Sequence, residues 1–237
     1  MAVVGKILVA LDPTSETLRE AEEKNCQCLV SHHPLVFRPL EAVRADQFPG
    51  RLVIRAVAGN INLIAVHTNL DAARDGTNDR FAGLLSLQSV GPLEFNEMFR
   101  GEVRYGGMGR VGLLPCEMVF EDLIQEIRRV LGGKEIRVVG DADGRVEKVA
   151  LCSGSGGSLI EKAIAVNADV YITGDVKYHE AQRAVEAGMA LIDVGHFASE
   201  QLIVKPLADY LRSRAFGRGI GLQVIEASSE RDPFRIR

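Results

Sequence analysis

Hydrophobic positions in the first third of the chain form short apolar runs that alternate with amphipathic stretches. The apolar runs predict three strands, at 5–11, 26–33 and 61–68. The amphipathic stretches predict three helices, at 15–25, 44–60 and 77–85, with Ser15 as the expected N-cap of the first. Near-continuous apolar strands alternating with helices are typical of a parallel sheet covered on both faces.

The middle of the chain has a different pattern. Residues 93–115 carry five glycines among short polar and apolar alternations, which predicts antiparallel strands and turns. Residues 116–133 predict an amphipathic helix that ends at a glycine pair. Residues 135–154 predict two strands around the turn at Asp143 and Gly144.

The alternation of strands and helices returns in the last third of the chain. Residues 148–175 read as strand, glycine-rich turn, helix and strand. The elements expected after them are a helix at 179–189, a strand at 190–195, a helix at 198–215 that contains Pro206, and a strand at 221–228. This order weakly repeats that of the first third, which suggests two related halves.

These patterns predict an α/β fold of two interleaved lobes, with mostly parallel sheets covered by helices. We expect residues 1–92 to form the first lobe and 146–237 the second, in one compact structural unit overall. Residues 93–145 would form a connecting β-rich segment plus a helix. A site at the carboxyl ends of the strands, between the lobes, is the expected place for ligands.

Composition narrows the class of protein. Hydrophobic residues make up 46% of the 237-residue chain and charged residues 25%, which is ordinary for a folded globular protein. No apolar run approaches the roughly 18 residues of a membrane span, and the N-terminal sequence lacks a signal-peptide pattern. A net charge of −4 argues against nucleic-acid binding, and the four cysteines show no metal-site or disulfide spacing. We expect a cytoplasmic protein that binds no membrane.

The histidines carry the strongest chemical signal in the sequence. All five lie at or just after the ends of predicted strands, beside other polar residues: His32, His33, His67, His179 and His196. Ligands of parallel α/β sheets bind outside these strand ends. A single histidine in such a position is more often a surface residue or a hydrogen-bonded core residue. Five together indicate a shared site.

The adjacent pair His32 and His33 needs a break in its strand to act at one site. Successive side chains of a regular strand point to opposite faces of the sheet. Pro34 stops the strand and biases His33 towards an extended conformation. At such a break, the two neighbouring imidazoles can each serve a different metal ion.

Two carboxylates join the histidines through local spacing. Glu200 follows His196 by four residues, so that one helix face would carry both, and Asp71 follows His67 by four residues. Each acid also has a structural interpretation, because acids are favoured at helix N-termini and as helix caps. Imidazole and carboxylate ligands together suit zinc, iron, manganese or a similar ion better than a sulfur-ligated cluster.

Four motifs in a fixed order extend these observations to the whole chain. SHHPLVF, HTNLDAA, TGDVKYHEA and GHFASE resemble the motifs of the Nif-three-like family, also named GTP cyclohydrolase 1 type 2 homologues, and the resemblance runs from about residue 6 to the DPF at 232–234. It implies an α/β fold with a dinuclear metal centre and a homo-oligomer, a toroidal hexamer built as a trimer of dimers. The stretch from 95 to 145 is too short for the extra middle domain of longer relatives, which indicates the compact form.

The resemblance also implies a ligand set for two divalent metal ions per chain. By motif position, His33 and Asp71 would bind one ion, and His32 and His196 would bind the other. Glu200 would bridge both ions.

A carboxylate-bridged pair of ions suits a hydrolase that uses a metal-activated hydroxide. His67 and His179 are the candidate catalytic residues, because an imidazole moves protons near neutral pH. The family name implies ring opening of GTP, and another nucleotide or a phosphoester is a further candidate for the small-molecule substrate.

Two alternatives to a hydrolase stay open: a non-catalytic metal carrier, sensor or scaffold, and an interaction module that metal merely stabilises. The chain has no tryptophan that could stack on a nucleotide base, which favours the metal carrier, sensor or scaffold.

The glycine-rich turn at 152–158 has two interpretations. Backbone N–H groups at a helix N-terminus favour anions, so Ser153, Ser155 and Ser158 are candidate phosphate ligands, with Lys177 and Arg74 as further partners. The turn lacks the GK[ST] sequence of a P-loop, and a tight turn with a serine cap explains the same residues.

Overall fold

Strand pairing sorts the elements of the chain into two separate sheets. The computed structural model describes residues 3–95, 106–133, 135–140 and 144–235. The chain divides into two compact units, one formed by 1–68 with 203–237 and the other by 69–202. The expected α/β class is confirmed, because both sheets contain parallel pairs and carry helices.

The strands of the described residues are β1 (Lys6–Ala10), β2 (Cys28–Ser31), β3 (Asn62–Ala65), β4 (Gln88–Phe95), β5 (Gly107–Val119), β6 (Arg137–Val139), β7 (Arg145–Ser155), β8 (Val170–Gly174), β9 (Ala190–Asp193) and β10 (Gln223–Glu226). The helices are α1 (Ser15–Glu23), α2 (Gly50–Ala58), α3 (Thr68–Ala72), α4 (Thr77–Leu84), α5 (Phe120–Val130), α6 (Ile160–Ala165), α7 (Tyr178–Glu186), α8 (His196–Glu200) and α9 (Val204–Gly217). None of the helices in these residues is long and apolar enough to span a membrane.

The first unit holds a wholly parallel sheet in the order β10-β1-β2-β3. Ala10, Ser31 and Ala65 pair in register, so the carboxyl ends of three strands are level. Buried apolar side chains of β1, β2, α1 and α2 form one core cluster. The residues that follow β1, β2 and β3 therefore come together at one edge of this sheet.

The two helices predicted between β1 and β3 exist: α1 begins at Ser15 as expected but has a different N-cap, and α2 begins later than expected. The N-cap of α1 is Thr14 and not Ser15, because Thr14 and Thr17 form a reciprocal capping box. Within 44–60, only Gly50–Ala58 is helical. Pro49 accounts for this difference, because the residue before a proline is disfavoured in the helical conformation.

The second unit holds a mixed sheet in the order β4-β5-β7-β8-β9-β6. Its two parallel pairs are β7 with β8 and β8 with β9, and the other pairs are antiparallel. Along β7, Val149 and Leu151 join a core cluster with α4 and α5, whereas Ala150 and Cys152 join another with α6 and α7. Because side chains alternate along a strand, helices cover both faces of this sheet.

Two local predictions in the second unit need correction. The helix expected from 116 begins at Phe120, because 116–119 continue β5, in which Met118 and Val119 pair with β7. The two strands of 135–154 do not pair with each other: β6 joins β9, and β7 joins β5 and β8. Of the turn expected there, Asp143 lies outside the described residues.

The long helix expected over 198–215 is interrupted. Helix α8 ends at Glu200, a 3-10 turn covers Gln201–Ile203, and α9 begins at Val204. Pro206 is the third residue of α9, where the N–H that proline lacks would have no partner within the helix.

The antiparallel strands expected in 93–115 appear as β4 and β5. Residues 96–105 of that stretch lie outside the described residues. The chain passes between the two units at 68–69 and 202–203.

Candidate metal centre

Three histidines of the first unit follow the level carboxyl ends of two parallel strands. His32 and His33 come directly after β2, and His67 comes two residues after β3. One ring nitrogen from each lies within 4.8 Å of the others. His32 is fully buried, and His33 and His67 are half-buried. This spacing allows the three imidazoles to serve a common metal site.

The chain leaves β2 in a turn that brings both adjacent rings together. The N–H of His32 donates to the carbonyl of Ala10 at 3.2 Å, and the N–H of His33 donates to that of Leu11 at 2.9 Å. The Ser31 hydroxyl donates to the carbonyl of His33 at 2.7 Å. With the backbone held this way, the ring centroids of His32 and His33 are 4.9 Å apart.

Hydrogen bonds at Nδ1 define which nitrogen of these rings is basic. His32 Nδ1 lies 2.9 Å from the carbonyl oxygen of Val66, which can only accept, so Nδ1 carries the hydrogen and Nε2 the lone pair. His33 Nδ1 lies 2.8 Å from Asp12 Oδ1, which favours the same tautomer. Histidines that bind metals usually donate their other ring N–H to a carbonyl or a carboxylate in this way.

Asp12 was not among the residues predicted from the sequence, although a signal for it exists. Asp12 follows β1 by two residues, and His33 follows β2 by two residues. The paired ends Ala10 and Ser31 therefore place both side chains at the same level of the parallel sheet.

In the second unit, α8 brings His196 and Glu200 into contact. His196 Nε2 lies 3.0 Å from Glu200 Oε2, as the spacing of four residues predicted. His196 Nδ1 lies 2.7 Å from Oδ2 of Asp175, which follows β8. The hydrogen bond to Glu200 raises the pKa of His196 to about 9, against the opposing effect of burial and with support from Asp175. An imidazole and a buried carboxylate thus share one small region.

A close backbone approach makes room for these two side chains. Gly154 at the end of β7 has a φ of +67°, and a Cβ there would overlap the carboxylate of Glu200 and crowd His196. The N–H of Gly154 donates to the Ser199 hydroxyl at 2.9 Å, and that hydroxyl donates to the carbonyl of His196 at 2.8 Å. Only glycine combines this conformation with the required space.

Asp71 is buried in the second unit and held by the first turn of α4. The Thr77 hydroxyl donates to Asp71 Oδ1 at 2.8 Å, and the Asn78 amide donates to the backbone carbonyl of Asp71 at 3.1 Å. The side-chain oxygen of Asn78 accepts a hydrogen bond from the N–H of Ser153 at 2.9 Å. The orientation of Asp71 is therefore tied to β7.

Asp193 connects the two turns that carry Asp175 and His196. This buried carboxylate accepts the N–H of Val176 at 3.1 Å and the N–H of Gly195 at 2.9 Å. Arg137 of β6 also donates to it. Its position at the end of β9 was visible in the sequence, but this bridging role depends on two backbone N–H groups that a sequence pattern does not reveal.

The last predicted histidine lies in a different setting. His179 is exposed on α7, and its Nδ1 lies 3.1 Å from the side-chain oxygen of Gln182. Among the residues that the structure describes, His179 belongs to no group of three His, Cys, Asp or Glu with ligand spacing.

Protein groups fill the glycine-rich turn. The N–H groups of Ser153, Gly154 and Gly156 donate to the side chains of Asn78, Ser199 and Thr173. A Cβ at Gly157 would overlap the carboxylate of Glu180, which would repel a phosphate. These contacts favour the tight-turn interpretation, in which glycines allow close packing.

Comparisons with known proteins identify the family of this chain. The model of the family described as Duf34/NIF3 (NGG1p interacting factor 3) matches residues 2–233. The "GTP cyclohydrolase 1 type 2 homolog" of Clostridium acetobutylicum is 31% identical over 236 residues, covering 100% of this chain and 87% of the relative. Its namesake from Clostridium perfringens is 33% identical over 231 residues, covering 98% of this chain and 86% of the relative.

A solved structure supports the fold independently. The crystal structure of a Bacillus cereus protein related to NIF3 superposes with a TM-score of 0.91 at 24% identity, covering 100% of this chain and 90% of that one. Since the family model spans nearly the whole sequence, the chain belongs to the Duf34/NIF3 family.

Proposed function

We propose that this protein is a dinuclear metal-dependent hydrolase. His33 and Asp71 would hold one divalent ion, His32 and His196 the other, and Glu200 would bridge the two. The observation that carries the proposal is the acceptor at Nδ1 of each of these histidines: a carbonyl for His32, and Asp12 and Asp175 for the others. Each imidazole would thereby be oriented to present Nε2 as its ligand atom.

The chemistry of the donor set fits such a centre. Three imidazoles and two carboxylates suit zinc, iron, manganese or a similar ion, and the acids offset part of the positive charge. Asp71 and Glu200 are both buried, and bound divalent ions would offset part of the cost of burying these two carboxylates. The described thiols are less suitable: burial raises the pKa of Cys152, which lies near Asp71 and Glu200, to about 12.

Bound divalent ions would lower the pKa of water and stabilise negative charge on the substrate. The protein would contribute the rest of the chemistry. Asp12 and Asp175 would hold the rings of His33 and His196, and Gly154 would keep space for Glu200. His67, half-buried among the histidines of the first unit, would move a proton at an imidazole nitrogen.

His179 remains a second proposed proton carrier, because its exposed imidazole can exchange protons with solvent. For the substrate we propose a small molecule of the nucleotide or phosphoester class. GTP is the first to test, because the relatives above carry the name GTP cyclohydrolase 1 type 2 homolog. We also propose a homo-oligomer, with the toroidal hexamer as the expected state.

Metal analysis combined with a hydrolysis screen tests the proposal. The purified protein should contain two ions per chain by inductively coupled plasma mass spectrometry. It should convert GTP, another nucleotide or a phosphoester, as followed by chromatography. The variants Glu200→Gln and His33→Ala should lose metal and turnover together. Glu161→Gln is the matched control, because it alters an exposed carboxylate that pairs with Arg183.

The outcomes separate the proposal from its alternatives. Two ions per chain without turnover of any substrate would favour a metal carrier, sensor or scaffold. Full metal content in both ligand variants would contradict the proposed ligand set.

A further inference from the structure

Strand β3 is the outer strand of the first unit's sheet in the part of the chain that the structure describes. The N–H of Asn62 donates to the carbonyl of Gln27 at 2.9 Å, and the N–H of Val66 donates to that of Ser31 at 2.8 Å. Hydrogen-bonding direction alternates along a strand, so the N–H and C=O groups of Leu63 and Ala65 point away from β2. The β3 edge, meaning residues 62–65, thus offers two donors and two acceptors to a further strand.

The β3 edge carries none of the usual features that prevent strand pairing. Natural edge strands are commonly blocked by charged side chains, prolines or bulges. Residues 62–65 read Asn-Leu-Ile-Ala, without a charge or a proline, and the Ile64 side chain is 50% exposed. An uncharged, apolar edge that stayed open would favour aggregation, so a specific partner is expected on it.

The opposite edge of the same sheet is blocked. The guanidinium of Arg212 donates to the outward carbonyl of Val224 in β10, at 3.0 and 3.2 Å, and also pairs with Glu226. This contact disfavours a head-to-tail arrangement in which β3 of one copy would extend the sheet at β10 of the next. The two edges therefore differ in their capacity to pair.

We propose that the β3 edge pairs with the β3 edge of a second copy of this chain, antiparallel about a two-fold axis at Ile64. Leu63 of each copy then lies opposite Ala65 of the other. Each of these two pairs exchanges two N–H···O=C bonds, which gives four bonds in total. Ile64 lies opposite its own equivalent in the non-hydrogen-bonded position. The result is one continuous sheet across two chains.

Self-complementarity favours a second copy over an unrelated strand. The two outward residues are two positions apart, so a two-fold axis between them satisfies every outward group with the same residues of the other chain. Because the edge carries no charge, the two copies do not repel each other.

The surface also continues beyond the strand, as a stable interface requires. A stable dimer buries about 800 Å² per partner, more than four residues supply. Phe37 is 73% exposed, and its ring lies 6.0 Å from that of His67, just past the carboxyl end of β3. Val36 beside it is also exposed, at 41%. Phe37 therefore provides exposed apolar area close to the carboxyl end of β3.

Disulfide trapping at Ile64 tests the proposed register. In a Cys116→Ser background, which removes the exposed native thiol, Ile64→Cys should give a covalent dimer on mild copper-phenanthroline oxidation. Directly opposite residues have Cβ atoms about 4.5–5.5 Å apart, close enough for a disulfide after small adjustments. The matched control is Val57→Cys on α2, which is more exposed at 75% and should not cross-link.

A second variant tests the contact without cysteines. Ala65→Pro removes one outward N–H while leaving the bonds of β3 to β2 intact, so the mass by light scattering should fall to half that of the native oligomer. A monomeric native protein would overturn the proposal. So would equal cross-linking of the two cysteine variants, or a normally folded Ala65→Pro protein of unchanged mass. Should Ala65→Pro fail to fold, the cross-linking result decides.

Discussion

At the scale of single residues, the candidate ligands depend on groups that are not ligands themselves. Gly154 shows this most directly, because the space that a side chain would occupy there is taken by the carboxylate of Glu200. Asp12 and Asp175 act in the same sense, since each holds Nδ1 of a histidine. Substitutions of such groups should change the metal content or metal affinity of the protein more than they change its free energy of unfolding.

Replacing Gly154 with alanine should displace Glu200 and lower the metal content of the purified protein. The positive φ adds a backbone penalty of about 1 kcal/mol to the free energy of folding. Metal analysis and urea unfolding would measure the two effects. Gly83→Ala is the control, because that helical glycine has open space around its Cβ position, and it should keep its metal and gain up to about 1 kcal/mol.

Replacing Asp12 with alanine should weaken metal binding about 10–100-fold, because the ring of His33 loses the acceptor that orients it. Competition with a coloured chelator would measure the affinity. Asp46→Ala removes an exposed carboxylate of the same unit, which pairs with Arg44, and should leave the affinity unchanged. Equal affinity of the Asp12→Ala and native proteins would show that the hydrogen bond does not support a metal ligand.

Sequence patterns predicted the histidines and acids better than their supporting residues. His32, His33 and His67 could be found because they follow apolar runs that end together. The role of Asp193 could not be found, since it depends on the backbone N–H groups of two turns, which every non-proline residue provides.

At the scale of elements, the segment after β10 is attached to α1 through Glu20. This carboxylate accepts the N–H and hydroxyl of Ser228, the N–H of Ser229 and the ammonium of Lys24. Burial alone would raise the pKa of Glu20, but these hydrogen bonds outweigh it and lower the pKa from 4.5 to about 2. The attachment therefore depends on pH.

The sign of this dependence follows from the lowered pKa. The unfolded chain takes up the proton of Glu20 near pH 4.5 and the folded chain only near pH 2, so acid favours unfolding. The ionised carboxylate should contribute about 3 kcal/mol above pH 5 and lose that contribution between pH 4.5 and 2. Urea unfolding of the native protein and Glu20→Gln should show a stability difference at pH 7 that shrinks towards pH 2. A difference independent of pH would contradict this assignment.

Elements were predicted well where periodicity extended over several turns, and less well at their ends. Helix α5 was expected from 116, but 116–119 belong to β5, and tertiary pairing of Met118 and Val119 with β7 keeps them in that strand. The pairing of β6 with β9 was missed for a related reason: the Asp-Gly signal is local, whereas strand neighbours are chosen over the whole sheet.

At the scale of the whole molecule, the order of elements predicted an α/β fold but not the membership of each sheet. Strand β10 is the last strand of the described residues, yet it pairs with β1, the first. No local pattern distinguishes this pairing from one with the preceding strands. Residues 203–237 belong to the first unit through this long-range pairing, which the sequence pattern does not reveal.

Metal removal should leave the fold of the protein largely intact. Each unit has its own apolar clusters, built from fully buried side chains such as Leu8 and Leu29 in the first and Leu151 and Ile172 in the second. Such cores stabilise a domain without metal, unlike those of small domains that fold only around an ion. Bound ions would add stability by mass action, about 2.7 kcal/mol at a free concentration 100 times the Kd.

The corresponding experiment compares the protein before and after chelation with EDTA. The far-ultraviolet circular dichroism at 25 °C should be unchanged, and the thermal midpoint should fall by several degrees and recover when zinc or manganese is restored. A collapse of the helical signal on chelation would instead identify the metal as a structural requirement. That result would favour the interaction-module alternative, because a catalytic centre in a self-supporting α/β fold does not have to hold the fold together.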